Sequence, residues 1–105
     1  MDALEEKKAE DIVLLDIREV SDFTDYFVIC SGTSDRQLKA LVDGTEDIAK
    51  KKFNLNPRSV EGRPDSGWVL IDFGDVVVHA FSEDLRKFYA LEELWRQGRV
   101  VVRIK

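Results

Sequence analysis

The chain has 105 residues, of which 44% are apolar and 35% charged, the composition of a chain that folds around one core and not of a disordered one. A formal net charge of −5 argues against a broad phosphate-binding surface or an anionic membrane, and suits steering towards a basic protein surface. No segment has the length of a membrane-spanning helix, the start carries no signal-peptide pattern, and one cysteine, Cys30, excludes an intramolecular disulfide and fits a reducing compartment.

Residues 2 to 10 have helical propensity and a thin apolar stripe of Ala3, Leu4 and Ala9, which predicts a short lead-in helix. Ile12 to Asp16 is apolar without alternation, the pattern of a strand covered on both faces. Polar residues 18 to 25 read as a loop, and Tyr26 to Ser31 as a second strand ending at Gly32, with Cys30 a small buried hydrophobe inside it. Ser34 and Gln37 have the spacing of a capping box. Leu38, Leu41, Val42, Ile48, Ala49 and Phe53 then recur at helical spacing. Lys50, Lys51 and Lys52 fall where cations complement the helix dipole, and Asn54 and Pro57 end the helix. Ser59 to Glu61 is a short strand and residues 62 to 67 a loop.

Residues 68 to 81, WVLIDFGDVVVHAF, read as a hairpin about Gly74-Asp75. Counting outward pairs Asp72 with Val77, Leu70 with His79 and Trp68 with Phe81. One face, Val69, Ile71, Phe73, Val76, Val78 and Ala80, is wholly apolar and reads as core. The other face is Trp68, Leu70, Asp72, Val77, His79 and Phe81, either a second buried layer or a binding surface. Ser82 caps a last helix that Gly98 closes. On it Leu85, Phe88, Tyr89, Leu91, Leu94 and Trp95 sweep about 220° with Glu92 inside, more than one core contact requires. Arg99 to Lys105 is a terminal strand or a tail. The order predicts one α/β domain over residues 1 to 105, a mixed sheet of about five strands flanked by helices.

Catalytic sets are sparse. Asp72-Phe73-Gly74 spells the kinase metal-binding tripeptide, but the glycine-rich and catalytic loops are missing and the hairpin explains the same residues. Ser31-Gly32-Thr33-Ser34 joins a strand to a helix N-terminus, a geometry that can hold an anion, yet lacks the lysine of a P-loop. A nucleotidyltransferase would need paired carboxylates beside it, and there is no Asp-x-Asp. With one histidine and one thiol, zinc clusters of such ligands are excluded. His79 lies about two residue pairs from Asp72, too far for direct contact.

Three further stretches, Lys7 to Ile12, Phe23 to Ile29 and Ser31 to Gln37, together with Trp68 to Asp72, Gly74 to His79 and Phe88 to Trp95, resemble the Iojap-like ribosomal silencing factors (RsfS). Residues 54 to 66 and the tail from Gly98 match least, and Glu83-Asp84 stand where family members often carry His-Pro. The resemblance implies a nucleotidyltransferase-like topology without the catalytic carboxylates and a role without chemistry or cofactor. It also implies binding to the large ribosomal subunit through ribosomal protein L-fourteen, which blocks subunit joining and lowers translation. It places the contact on Trp68, Leu70, Asp72, His79, Phe81, Tyr89, Leu91, Glu92 and Trp95, with self-association through the same kind of surface. It implies a bacterial cytoplasmic setting or an organellar one. No membrane partner and no sequence-specific nucleic acid are expected. The competing reading is a small nucleotide- or phosphate-binding enzyme built on Ser31 to Ser34.

Overall fold

The structure, a computed structural model, describes residues 9–19, 24–90 and 99–104. The expected lead-in helix lies mostly outside these, and Glu10 already belongs to a strand. In chain order the elements are β1 (Glu10–Asp16), β2 (Tyr26–Gly32), α1 (Asp35–Phe53), β3 (Ser59–Arg63), a 3₁₀ turn (Pro64–Ser66), β4 (Trp68–Asp72), β5 (Val76–Ser82), α2 (Glu83–Tyr89) and β6 (Arg99–Ile104). They form one sheet in the order β3-β4-β5-β2-β1-β6, in which β2 and β5 are parallel and every other pair is antiparallel.

The expected mixed α/β architecture is therefore present, with six strands among the described residues where about five were expected. The additional strand is the C-terminal segment, whose β-branched valines pair with β1 from Ile12↔Ile104 to Asp16↔Arg99. Gly62 and Arg63, expected in a loop, extend β3.

Both sheet faces are covered, as the apolar run of β1 requires. On one face Leu38, Leu41 and Val42 of α1 pack on Ile12, Val28, Cys30, Val69, Ile71, Val78 and Ala80. On the other, Val13, Leu15, Ile17, Phe27, Ile29, Val77 and Phe81 form a second core against which Trp68, Leu70 and Leu85 are partly buried. Burial pushes the Cys30 thiol up to about 12, so it is an inert core residue.

The helix start at Ser34 forms as its sequence predicts: Ser34 Oγ accepts from Gln37 N at 3.1 Å. Gln37 Oε1 reaches back one residue further than the capping box requires, accepting from Thr33 N at 2.6 Å. Asn54, left-handed at φ 51°, ends α1 and donates its amide to Lys50 O.

Helix α2 departs from its sequence pattern. It stops at Tyr89 rather than running to Gly98, because Ala90 adopts φ 46° while its amide still donates to Arg86 O at 2.9 Å. This is an αL cap without the glycine that ordinarily announces one. Leu91, Glu92, Leu94 and Trp95 lie outside the described residues.

Arg86 ties α2 to strands β1 and β2. It is buried, and its Nη1 donates to Asp11 O at 2.6 Å and to Ser31 Oγ at 2.9 Å, while Nη2 stands 3.7 Å from the Asp11 carboxylate. A guanidinium is well suited to such a place because its planar fork satisfies several acceptors at once. Arg86→Ala is expected to lower unfolding stability by about 2–3 kcal/mol, by leaving buried acceptors without a donor. Arg18→Ala, at the solvent-exposed pair with Asp16, should cost much less. Urea melts of the two variants side by side measure both, and equal losses would contradict the difference.

Candidate functional site

The hairpin has the register that its sequence predicts: Trp68↔Phe81, Val69↔Ala80, Leu70↔His79, Ile71↔Val78 and Asp72↔Val77. Gly74 opens the two-residue turn at φ 94°, and Phe73 N closes it on Val76 O at 2.9 Å. A second constrained glycine beside the site is Gly67, at φ 85°, where an added Cβ would come within 2.9 Å of both Leu85 Cδ1 and Ser82 Oγ. That close approach brings Trp68, the next residue, beside the start of α2.

The mixed hairpin face divides between core and rim. Val77, His79 and Phe81 on the central strand are buried, whereas Trp68, Leu70 and Asp72 on the neighbouring strand are half-buried. Of the two readings of this face, the buried layer holds for Val77, His79 and Phe81, which are enclosed in and against the second core. The reason is positional, since β5 lies between β2 and β4 and its side chains are flanked by those of both.

From that core an aromatic ladder climbs to the surface. Phe27 meets His79 edge-on at 4.6 Å, His79 lies nearly parallel to Phe81 at 6.1 Å, and Trp68 stacks on Phe81 at 5.0 Å. Tyr89 then sits 4.7 Å from Trp68, and Phe88 stands edge-on to Tyr89 at 5.1 Å. Offset and edge-on contacts of this kind add to the area they bury. Exposure rises along the ladder from Phe81 at 0% to Tyr89 at 41% and Phe88 at 77%. Phe88 falls on the predicted apolar arc but was not among the expected contact residues; its side chain is the most exposed aromatic of the ladder.

His79 is held by one hydrogen bond, in which Trp68 Nε1 donates to its Nδ1 at 3.3 Å. Its Nε2 then carries the proton and has no hydrogen-bond partner among the described residues. Burial lowers its pKa from 6.5 to about 4, so the ring is neutral at pH 7. Asp72 is not part of this cluster. It sits by the turn, where Oδ1 accepts from Gly74 N at 2.7 Å. Of the expected contact set, the structure brings together Trp68, Leu70, His79, Phe81 and Tyr89, and sets Asp72 apart; Leu91, Glu92 and Trp95 are outside the described residues.

The Ser31–Ser34 turn is engaged internally. Ser31 is buried and bonded to Arg86, Thr33 N is held by Gln37, and Ser34 Oγ caps α1. Among the described residues no cluster of three His, Cys, Asp or Glu groups has the spacing to hold a metal ion.

A family model described as "Ribosomal silencing factor during starvation" (RsfS) matches residues 1–105. The ribosomal silencing factor RsfS of Bacillus subtilis is 44% identical over 93 residues, 89% of this chain and 78% of that protein. The chloroplastic protein Iojap of Zea mays is 41% identical over 93 residues, which cover 89% of this chain and 40% of the plant protein. A crystal structure of a Chromobacterium violaceum protein superposes with a TM-score of 0.84 at 34% identity, over 96% of this chain and 85% of that one.

Protonating His79 inside this stack is disfavoured, which makes stability depend on pH. Its folded pKa lies below the unfolded value, so the unfolded chain binds the extra proton first and stability falls as pH drops from about 6.5 towards 4. Between pH 7 and pH 5 the wild type is expected to lose about 2 kcal/mol relative to His79→Phe, which has no such group. Chemical denaturation of both proteins at a series of pH values tests this; parallel curves would show that the buried imidazole does not titrate as described.

Proposed function

The chain belongs to the ribosomal silencing factor (RsfS) family, and from that premise we propose that it represses translation by occupying the large ribosomal subunit at ribosomal protein L-fourteen. Bound there, it excludes the small subunit sterically and needs no chemistry of its own. The observation that carries the reading is the outer end of the aromatic ladder, where Phe88 and Tyr89 are exposed beside half-buried Trp68. Large exposed aromatics supported from beneath by a packed core are the usual anchors of a protein interface.

Trp68, Leu70 and Tyr89 make the contact in this proposal with Phe88, and Leu91, Glu92 and Trp95 extend it along the chain. His79 and Phe81 act from below, by fixing the height and tilt of Trp68. A net charge of −5 supports a basic ribosomal protein as the partner. The mouse relative is named for mitochondrial assembly of the ribosomal large subunit, which supports the choice of subunit. The site of action is the compartment that holds the ribosome, the bacterial cytoplasm or an organelle. Self-association would use the same apolar face and therefore compete with subunit binding. The internal engagement of Ser31, Thr33 and Ser34 weighs against the nucleotide-binding alternative.

Light scattering of purified subunits is the direct assay: a molar excess of the protein should suppress their association, and undiminished association would defeat the proposal. Phe88→Ala should weaken large-subunit binding by roughly 30-fold, about 2 kcal/mol, with an unchanged circular dichroism spectrum. Trp95→Ala is expected to act in the same direction. His79→Ala should instead lower stability, because it removes the support under Trp68.

A further inference from the structure

The stretch from Lys50 to Arg63 has a charge opposite to that of the chain. It holds five cations, Lys50, Lys51, Lys52, Arg58 and Arg63, against one acid, Glu61, in a protein of net charge −5. All of its residues are exposed except Pro57, which is half-buried. Compensation of the α1 dipole and local pairing account for only part of this. Lys51 pairs with Asp47 at 3.2 Å, Arg63 pairs with Asp65 at 3.2 Å, and Lys50 donates to Asn54 Oδ1 at 3.1 Å. Lys52 and Arg58 have no anionic partner among the described residues.

Among these cations Phe53 projects, 73% exposed and without an aromatic neighbour among the described residues, with Leu55 also exposed. Arg58 runs along the hairpin turn: its amide donates to Asp72 O at 2.6 Å, and its Cδ would lie 3.4 Å from a Cβ added at Gly74. Arg58 is thus at the turn end of the hairpin, whereas Trp68 pairs with Phe81 at the opposite end, where Arg63 is the strand neighbour of Trp68. Contacts at Arg58 and at the exposed aromatics can therefore be made at once.

We propose that this patch is a second contact on the large subunit, and that its partner there is ribosomal RNA. Phosphates lie against Lys52 and Arg58, and an unpaired base stacks on Phe53. The inference rests on the large-subunit reading above and adds to it the chemical class of a second partner. Single-stranded nucleic acid is held by cations that track the backbone and by an aromatic face that any base can cover, the combination present here. An acidic peptide would satisfy the cations but would leave the aromatic ring without a planar partner. An acidic protein can also approach RNA only where its local sign is reversed, since other charges are screened beyond a Debye length.

The test compares wild type, Lys52→Glu/Arg58→Glu and Phe53→Ser, all surface changes, for binding to purified large subunits over a series of salt concentrations. The double variant should bind at least about ten-fold more weakly and lower the slope of log affinity against log salt by about 1.4. Phe53→Ser should weaken binding by roughly five-fold with little change in slope. All three proteins should bind isolated ribosomal protein L-fourteen equally. Unchanged subunit affinity overturns the proposal, and so does an equal loss on the isolated protein, which would make the patch a protein contact. A photo-crosslinking amino acid in place of Phe53 should capture RNA; capture of a ribosomal protein instead overturns it as well. If wild type ignores isolated L-fourteen while the variants still lose subunit affinity, the protein-contact reading fails and the RNA contact stands. A wild type that does not bind large subunits at all defeats both.

Discussion

The parallel pairing of β2 with β5 is the constraint from which the remaining architecture follows. Seven register pairs, from Tyr26↔Val76 to Gly32↔Ser82, end both strands at one edge of the molecule. Each strand there gives way to a serine-capped helix, Ser34 before α1 and Ser82 before α2. The two helices cover opposite faces, as the separate packing of Leu38 and Leu85 shows. A crevice between such helix starts is where open α/β sheets ordinarily take ligands. Here Arg86 enters from α2 and bonds Ser31 and the Asp11 carbonyl, so the chain fills that position with its own cation.

Placing β5 in the interior of the sheet also decides the character of the aromatic ladder. Its inner rungs, His79 and Phe81, are buried, and this keeps the imidazole neutral and able to accept the Trp68 indole proton. The outer rungs, Tyr89 and Phe88, inherit a fixed position from that foundation. A surface aromatic whose rotamer is already restricted loses less entropy on binding. Arg58 of the cationic segment lies at the opposite, turn end of the hairpin, so a net acidic chain presents two chemically distinct surfaces.

Much of this was legible in the sequence. The Gly74-Asp75 turn dictates the hairpin register because a two-residue link permits little slippage, and every counted pair is present. The Ser34 cap, the Asn54 stop and the two-sided burial of β1 are local or periodic signals of the same directness. The end of α2 was not legible. Ala90 takes a left-handed conformation that alanine rarely adopts, so neither composition nor periodicity announces the break after Tyr89. The extent of β6 was ambiguous for a different reason: a valine-rich tail becomes a strand only if an edge is available, and β1 supplies one.

What the sequence by itself determined is therefore the alternation of side chains along each strand, the hairpin register, the cap positions and the family resemblance. All of these are set by neighbours within a few residues or by motifs read directly. What only the tertiary structure decided is which face of the hairpin is surface. Trp68, Leu70, Asp72, Val77, His79 and Phe81 share one face by period, yet Val77, His79 and Phe81 are buried and the other three are rim residues. Period 2 assigns a side chain to a face. Burial of that face depends on the strand's place in the sheet and on what packs above it, both set by contacts distant in sequence.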